Sequence, residues 1–235
     1  IAVNDNAAGG MLLTAVTGAG EINARLGFGV SGTNAVVAPI SANNNGGIGI
    51  AATLVSGNSN ITFAMTGLVA TNNAGGPGLA LAASAGAGDI QIELGSDSLF
   101  GLEGEIIASH NAGDGLAVTA ASGNGAVDIS LNNITAISNA NNGVTVVAAT
   151  PGAASIALDD VNASGNGDYG VSATASTALS NATITANNLV LNNNATTGGL
   201  FYAAGGVEAS VTVTNFTADG NVDEGVVGAV DGALV

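Results

Sequence analysis

The stretch Ile134-Thr135-Ala136-Ile137-Ser138-Asn139-Ala140-Asn141-Asn142-Gly143-Val144-Thr145-Val146 begins with an apolar residue, reaches Asn five positions later and Gly four beyond, then opens a new apolar alternation. The same pattern occurs eight times along the chain, with apolar starts at Ile1, Ile40, Leu68, Ile106, Ile134, Val161, Leu189 and Phe216. The matching Asn residues are Asn6, Asn45, Asn73, Asn111, Asn139, Asn166, Asn194 and Asn221. Two positions into each unit stands Val3, Ala42, Ala70, Ala108, Ala136, Ala163, Leu191 or Ala218. Positions one and three therefore face one interior, which is the two-residue period of a strand. The Gly residues Gly10, Gly49, Gly78, Gly115, Gly143, Gly170, Gly198 or Gly199, and Gly225 each open a second short strand.

A third alternation follows, as in Ile61-Thr62-Phe63, Ile90-Gln91-Ile92, Ile129-Ser130-Leu131 and Ile156-Ala157-Leu158. Each unit thus reads as three short strands and three turns. Units run to 27 or 28 residues, except that the first and third are about ten longer and the eighth stops near twenty. Such units bury nothing alone and a continuous core when stacked. Helical repeats of this length need apolar residues at a 3.6-residue period, whereas these units are dense in Gly, Asn, Thr and Val, which suit turns and strands. The expected fold is all-β: a single-stranded parallel β-helix, or β-solenoid, of about eight coils, forming one domain over residues 1–235. At a strand spacing of about 4.8 Å, eight coils make a rod core roughly 35–40 Å long. The recurrent Asn is expected to take left-handed backbone angles at a tight turn and to pass its side-chain amide from coil to coil as a structural ladder.

The pattern apolar-x-apolar, Asn-rich turn, Gly-apolar resembles the coils of the right-handed parallel β-helix of the pectate-lyase-like superfamily, and it covers essentially the whole chain. Right-handedness is what that resemblance and the crossover rule imply. The scaffold carries lyases, hydrolases, tailspikes, adhesins and structural surface proteins, so it implies architecture rather than activity. Polygalacturonate-cutting members use either a basic residue with Asp-bound calcium or clustered Asp with a nearby His and basic residues.

That toolkit is nearly empty here. The chain has 17 acidic residues, one Lys or Arg, one His and no Cys, for a formal charge of −16. Arg25, the only base, cannot release counterions from a polyphosphate, so DNA and RNA are excluded as partners and an anionic membrane surface is a poor one. Lacking Cys, the chain has no disulfide, thiolate zinc site or cysteine nucleophile. No run approaches the roughly 18 apolar residues of a membrane span, and the first residue is Ile, which reads as a processed, soluble segment.

No catalytic or cofactor-binding residue is assigned, and the expected class is not an enzyme. Arg25 reads as a solvated residue at a strand end. Asp159 and Asp160 are the only acidic pair beside the terminal Asp223-Glu224, and strand alternation turns them to opposite sides. His110 takes the polar loop position held elsewhere by Asn44, Asn72, Ser138 or Asn193. Tyr169 and Tyr202, near the Gly turns of successive units, could make a small carbohydrate track. Asp114, Asp168, Asp223 and Glu224 fall between repeat Asn and repeat Gly, so they are candidate calcium ligands along one edge of the rod. The Gly-Gly-x-Gly-x-Asp pattern of calcium-binding β-rolls is missing. Six Asn-x-Ser/Thr sequons, at Asn60, Asn133, Asn162, Asn181, Asn194 and Asn215, carry no weight in a chain this rich in Asn. Thr183-Ile184-Thr185 lacks matching Thr pairs in neighbouring units, so no ice-binding ladder is read.

Assembly is the sharper expectation. Residue 1 falls at position one of a coil, and the last unit stops in an apolar Leu234-Val235, so Ile1, Val3, Leu234 and Val235 are the expected assembly ends. Head-to-tail contact of identical copies does not close and grows a filament. A chain with one trypsin site suits an extracellular or cell-surface setting, where surface polysaccharide or matrix components are further possible partners. The alternatives are an excerpt of a β-helical adhesin or autotransporter passenger and a polysaccharide lyase or hydrolase.

Overall fold

The computed structural model describes residues 1–31 and 34–232 and has no helix among them. Each repeat Gly leads into a seven-residue strand: Met11–Thr17, Ile50–Ser56, Leu79–Ala85, Leu116–Ser122, Val144–Thr150, Val171–Thr177, Gly199–Gly205 and Val226–Gly232. The residue before each of these strands, or its first residue, is small enough to turn sharply out of the Asn corner. All eight strands stack in parallel into one sheet in chain order. Their register never slips: Met11, Ile50, Leu79, Leu116, Val144, Val171, Gly199 and Val226 are successive partners. A second parallel sheet of ten strands closes the coil, and the whole is a β-solenoid of about seven turns.

The third strand of one unit and the first of the next are often a single run. Val127–Thr135, Ala154–Asn162, Asn181–Val190 and Glu208–Thr217 each span both. They bend at one left-handed residue, Asn133, Asp160, Asn188 and Asn215 with φ of 50–54°, which shifts the strand's facing without breaking its ladder. In the earlier coils the two pieces remain separate, as in Ile61–Met65 and Leu68–Thr71 around Gly67.

Alternation selects the core. Within Leu116–Ser122 the side chains of Leu116, Val118 and Ala120 are buried, while Ala117, Thr119 and Ala121 point away. Stacking puts like on like: Ile92, Ile129, Ile156 and Ile184 follow one another up the axis at 0% exposure. The aliphatic columns merge into one cluster that runs through the stack, and its large aromatics are Phe63 and Phe201. At the two ends the same columns are only partly covered, at Met11, Leu13 and Ala15 on one side and Val211, Val213 and Val226 on the other.

The extra residues of the first and third units leave the rod at one corner. Between Leu26 and Ile40 they form an antiparallel pair, Phe28–Ser31 with Asn34–Val37. Between Leu94 and Ile106 the short pair Ser96–Asp97 and Leu102–Glu103 does the same. Regular coils span this corner with two residues, such as Asn132-Asn133.

Candidate functional site

The most elaborate polar construction is the Asn ladder, and the left-handed turn in it is not where the sequence suggested. The residue before each ladder Asn has positive φ: Asp5, Asn44, Asn72, His110, Ser138, Gly165, Asn193 and Gly220 lie at 54–69°. The ladder Asn itself is absent from that set. Its predecessor turns the chain, and the turn aims the Asn side chain along the axis.

Asn73 has every hydrogen-bonding capacity of its amide filled. Its Nδ2 donates to Asn111 Oδ1 at 2.9 Å and to the Ala42 carbonyl at 3.0 Å. Its Oδ1 accepts from the Asn45 backbone N–H at 3.1 Å and from Asn45 Nδ2 at 2.9 Å. Asn111, Asn139 and Asn166 repeat the arrangement with the carbonyls of Ala70, Ala108 and Ala136. The separations between linked Asn residues are 39, 28, 38, 28, 27, 28 and 27, so the lateral insertions do not disturb the ladder. From Asn45 to Asn194 these amides are at most 3% exposed, and burying them is favourable because they are paired.

The ladder also explains the Gly that accompanies it. A Cβ on Gly143 would lie 2.6 Å from Asn166 Nδ2, and one on Gly170 would lie 2.7 Å from Asn194 Nδ2. Each Gly leaves room for the Asn of the next coil. In the seventh unit the partner is Gly198, facing Asn221, rather than Gly199.

From Asn6 to Asn194 each ladder Nδ2 donates to the Asn Oδ1 of the next coil toward the C-terminus, so the two ends differ. Asn221 accepts from the Asn194 backbone and from Asn194 Nδ2, at 2.9 and 3.0 Å, but its own buried Nδ2 has no acceptor among the described residues. At the other end Asn6 donates to Asn45, and none of the described residues donates to Asn6 Oδ1. Ile1 is 71% exposed, while the Val3 backbone N–H donates to Ser41. Leu234 and Val235 lie outside the described residues.

The remaining candidates are dispersed. Arg25 is not a solvated strand-end residue: its Nε donates to Asp97 Oδ2 at 3.1 Å, it donates also to Asn23, and its guanidinium lies 5.7 Å from the Phe100 ring centre. Asp97 is fully buried, and its other oxygen accepts from the Leu99 and Phe100 backbones. The pair ties the third unit's excursion to the first coil. His110 borders a surface groove with Asn72 and Ser138, without an acidic neighbour there. Asp159 accepts from Asn187 and Asn188 of the next coil, and Asp160 occupies the left-handed bend. Tyr169 sits in a turn, whereas Tyr202 lies within a strand opposite Thr174, so the two make no shared track.

The acidic edge is built into the coil-to-coil bonding. Thr145 donates to Asp114, Thr196 to Asp168 and Thr197 to Glu224, at 2.7, 2.8 and 3.0 Å. Only the backbone of Asp223 is held, by Thr196. Among the described residues no three His, Cys, Asp or Glu side chains come together as a metal-holding group.

Comparisons with protein-family models, with curated proteins and with solved structures find no match to this chain.

Proposed function

We propose that the protein is an extracellular structural subunit whose β-solenoid continues from one copy to the next, head to tail, in a surface filament or matrix fibre. The observation that carries this reading is the polarity of the Asn ladder, in which the Nδ2 of each Asn donates to the Oδ1 of the Asn in the next coil and never the reverse. A buried amide donor without a partner costs about 1–3 kcal/mol, which an acceptor in a further coil recovers. Two C-terminal ends would meet donor to donor, so only the head-to-tail contact extends the ladder. Such a contact repeats without closing. Engagement of Arg25 by Asp97 and the scatter of His110, Asp159 and Tyr202 favour this reading over polysaccharide cleavage.

The test is negative-stain microscopy of the 235-residue polypeptide over a range of concentrations, alongside Asn221→Asp. Aspartate can still accept both bonds from Asn194 but has no proton to donate. The unmodified chain is expected to form rods that lengthen with concentration, and the variant to remain short with unchanged circular dichroism. Short rods of one length from the unmodified chain at every concentration would overturn the proposal.

A further inference from the structure

The outer face of the eight-stranded sheet differs in chemistry from the rest of the molecule. Of the 17 acidic residues and the single Arg, only Asp231 lies on any of its strands, and that strand is the last. Three outward residues per strand line up in columns because the register is constant. The middle column includes Thr53, Ala82, Thr119, Val147, Thr174 and Tyr202. Its flanks are largely Ala, Ser and Val, with Leu12 and Val16 at one end 74% and 72% exposed. By contrast, the ten-stranded sheet turns Arg25, Asp128 and Asp159 to its outer side.

Seven residues along the strand and eight strands across make a face of about 23 by 34 Å, or roughly 800 Å². That is about the area each partner contributes to a standard stable interface. We infer that this face is where a second copy of the chain packs, sheet against sheet, pairing two rods side by side about a two-fold axis. A face of small uncharged side chains is complementary to itself. It brings two chains of charge −16 together while keeping nearly all their carboxylates on the edges and far sheets. Those charges still repel over the Debye length of about 10 Å at 0.1 M salt, so pairing strengthens as ionic strength rises. This contact is independent of the axial one: it sets the width of an assembly, not its length.

The experiment is sedimentation equilibrium of the full chain carrying Asn221→Asp, which blocks axial growth, at low and physiological ionic strength, with two double variants made on that background. Thr119→Glu with Thr174→Glu places charge in the middle of the face, and Ser130→Glu with Thr185→Glu places the same charge outside the opposite sheet. The Asn221→Asp chain, alone or with the second pair of substitutions, is expected to dimerise, and with the first pair to lose affinity at least tenfold. Equal loss in both variants would overturn the inference. Because glutamates in the face could disturb folding, Thr119→Cys supplies a second measurement in a chain that has no Cys of its own. Mild oxidation is expected to link it into dimers, whereas Ser130→Cys remains unlinked. A chain that stays laterally single at every concentration and salt, or binds crystalline cellulose through this face as a single rod, overturns the pairing.

Discussion

A buried amide that bonds above and below is worth more than its count of hydrogen bonds, because removing it strips partners from the coils on both sides and orphans buried groups in one of them. Asn139→Ala leaves the Asn111 backbone N–H without its acceptor, Asn111 Nδ2 with the Ala70 carbonyl alone, and the Ala108 carbonyl without its donor. The expected loss is about 2–4 kcal/mol, since each buried orphan costs about 1–3 kcal/mol. Asn6→Ala, at the exposed end where water replaces the lost partner, is expected to cost under about 1 kcal/mol. Urea denaturation of both variants checks the difference, and equal losses would remove the ladder as the reason for the repeat. The ladder was legible in the sequence because one residue type returns at one position. The left-handed residue before it was not, because Asp, Asn, His, Ser and Gly all serve there. A non-Gly residue in that conformation costs roughly 1–2 kcal/mol, and His110 and Ser138 hold it because the ladder on one side and the strand on the other fix the chain.

Elements were readable to the extent that their signals are local. Apolar alternation after each Gly located the seven-residue strands, and the two long units marked the insertions, because both are periodicities of neighbouring residues. The Arg25–Asp97 pair joins residues 72 apart, across two insertions whose paths no local pattern encodes. Similarly, the merging of third and first strands depends on a single left-handed bend, which the sequence presents as an ordinary turn. The pair has a consequence that trypsin can read, since Arg25 is its only site in the chain. Held in the strand Ile22–Leu26 and bound to a buried carboxylate, that site is expected to resist cleavage in the native protein. Asp97→Ala is expected to raise the rate of the cut after Arg25 severalfold while the remaining coils stay folded, as fragment masses would show. An unchanged rate would mean that the excursion does not hold the strand.

Across the whole molecule, stability is distributed along one axis. Apart from the contacts made by the two excursions, among them Arg25–Asp97, each coil contacts only the coils above and below, so the terminal coils have half the neighbours of the middle ones. Amide hydrogen exchange is expected to be slowest in Leu116–Ser122 and Val144–Thr150 and fastest in Met11–Thr17 and Val226–Gly232. In a concentrated, assembled sample the protection of the terminal strands is expected to rise toward that of the centre. A flat profile in dilute solution would instead mean that the stack opens as one unit.

Both excursions emerge at the same corner, the one that regular coils cross at residues 132–133, 159–160, 187–188 and 214–215. There the stack has already accepted eleven and thirteen residues, 95–105 and 27–39, in place of two. The corner therefore works as a row of splice ports, one per coil, about 4.8 Å apart along the rod. Foreign peptides grafted at successive ports would be displayed in a single file at a molecular ruler's spacing, while the spine that carries them keeps its register.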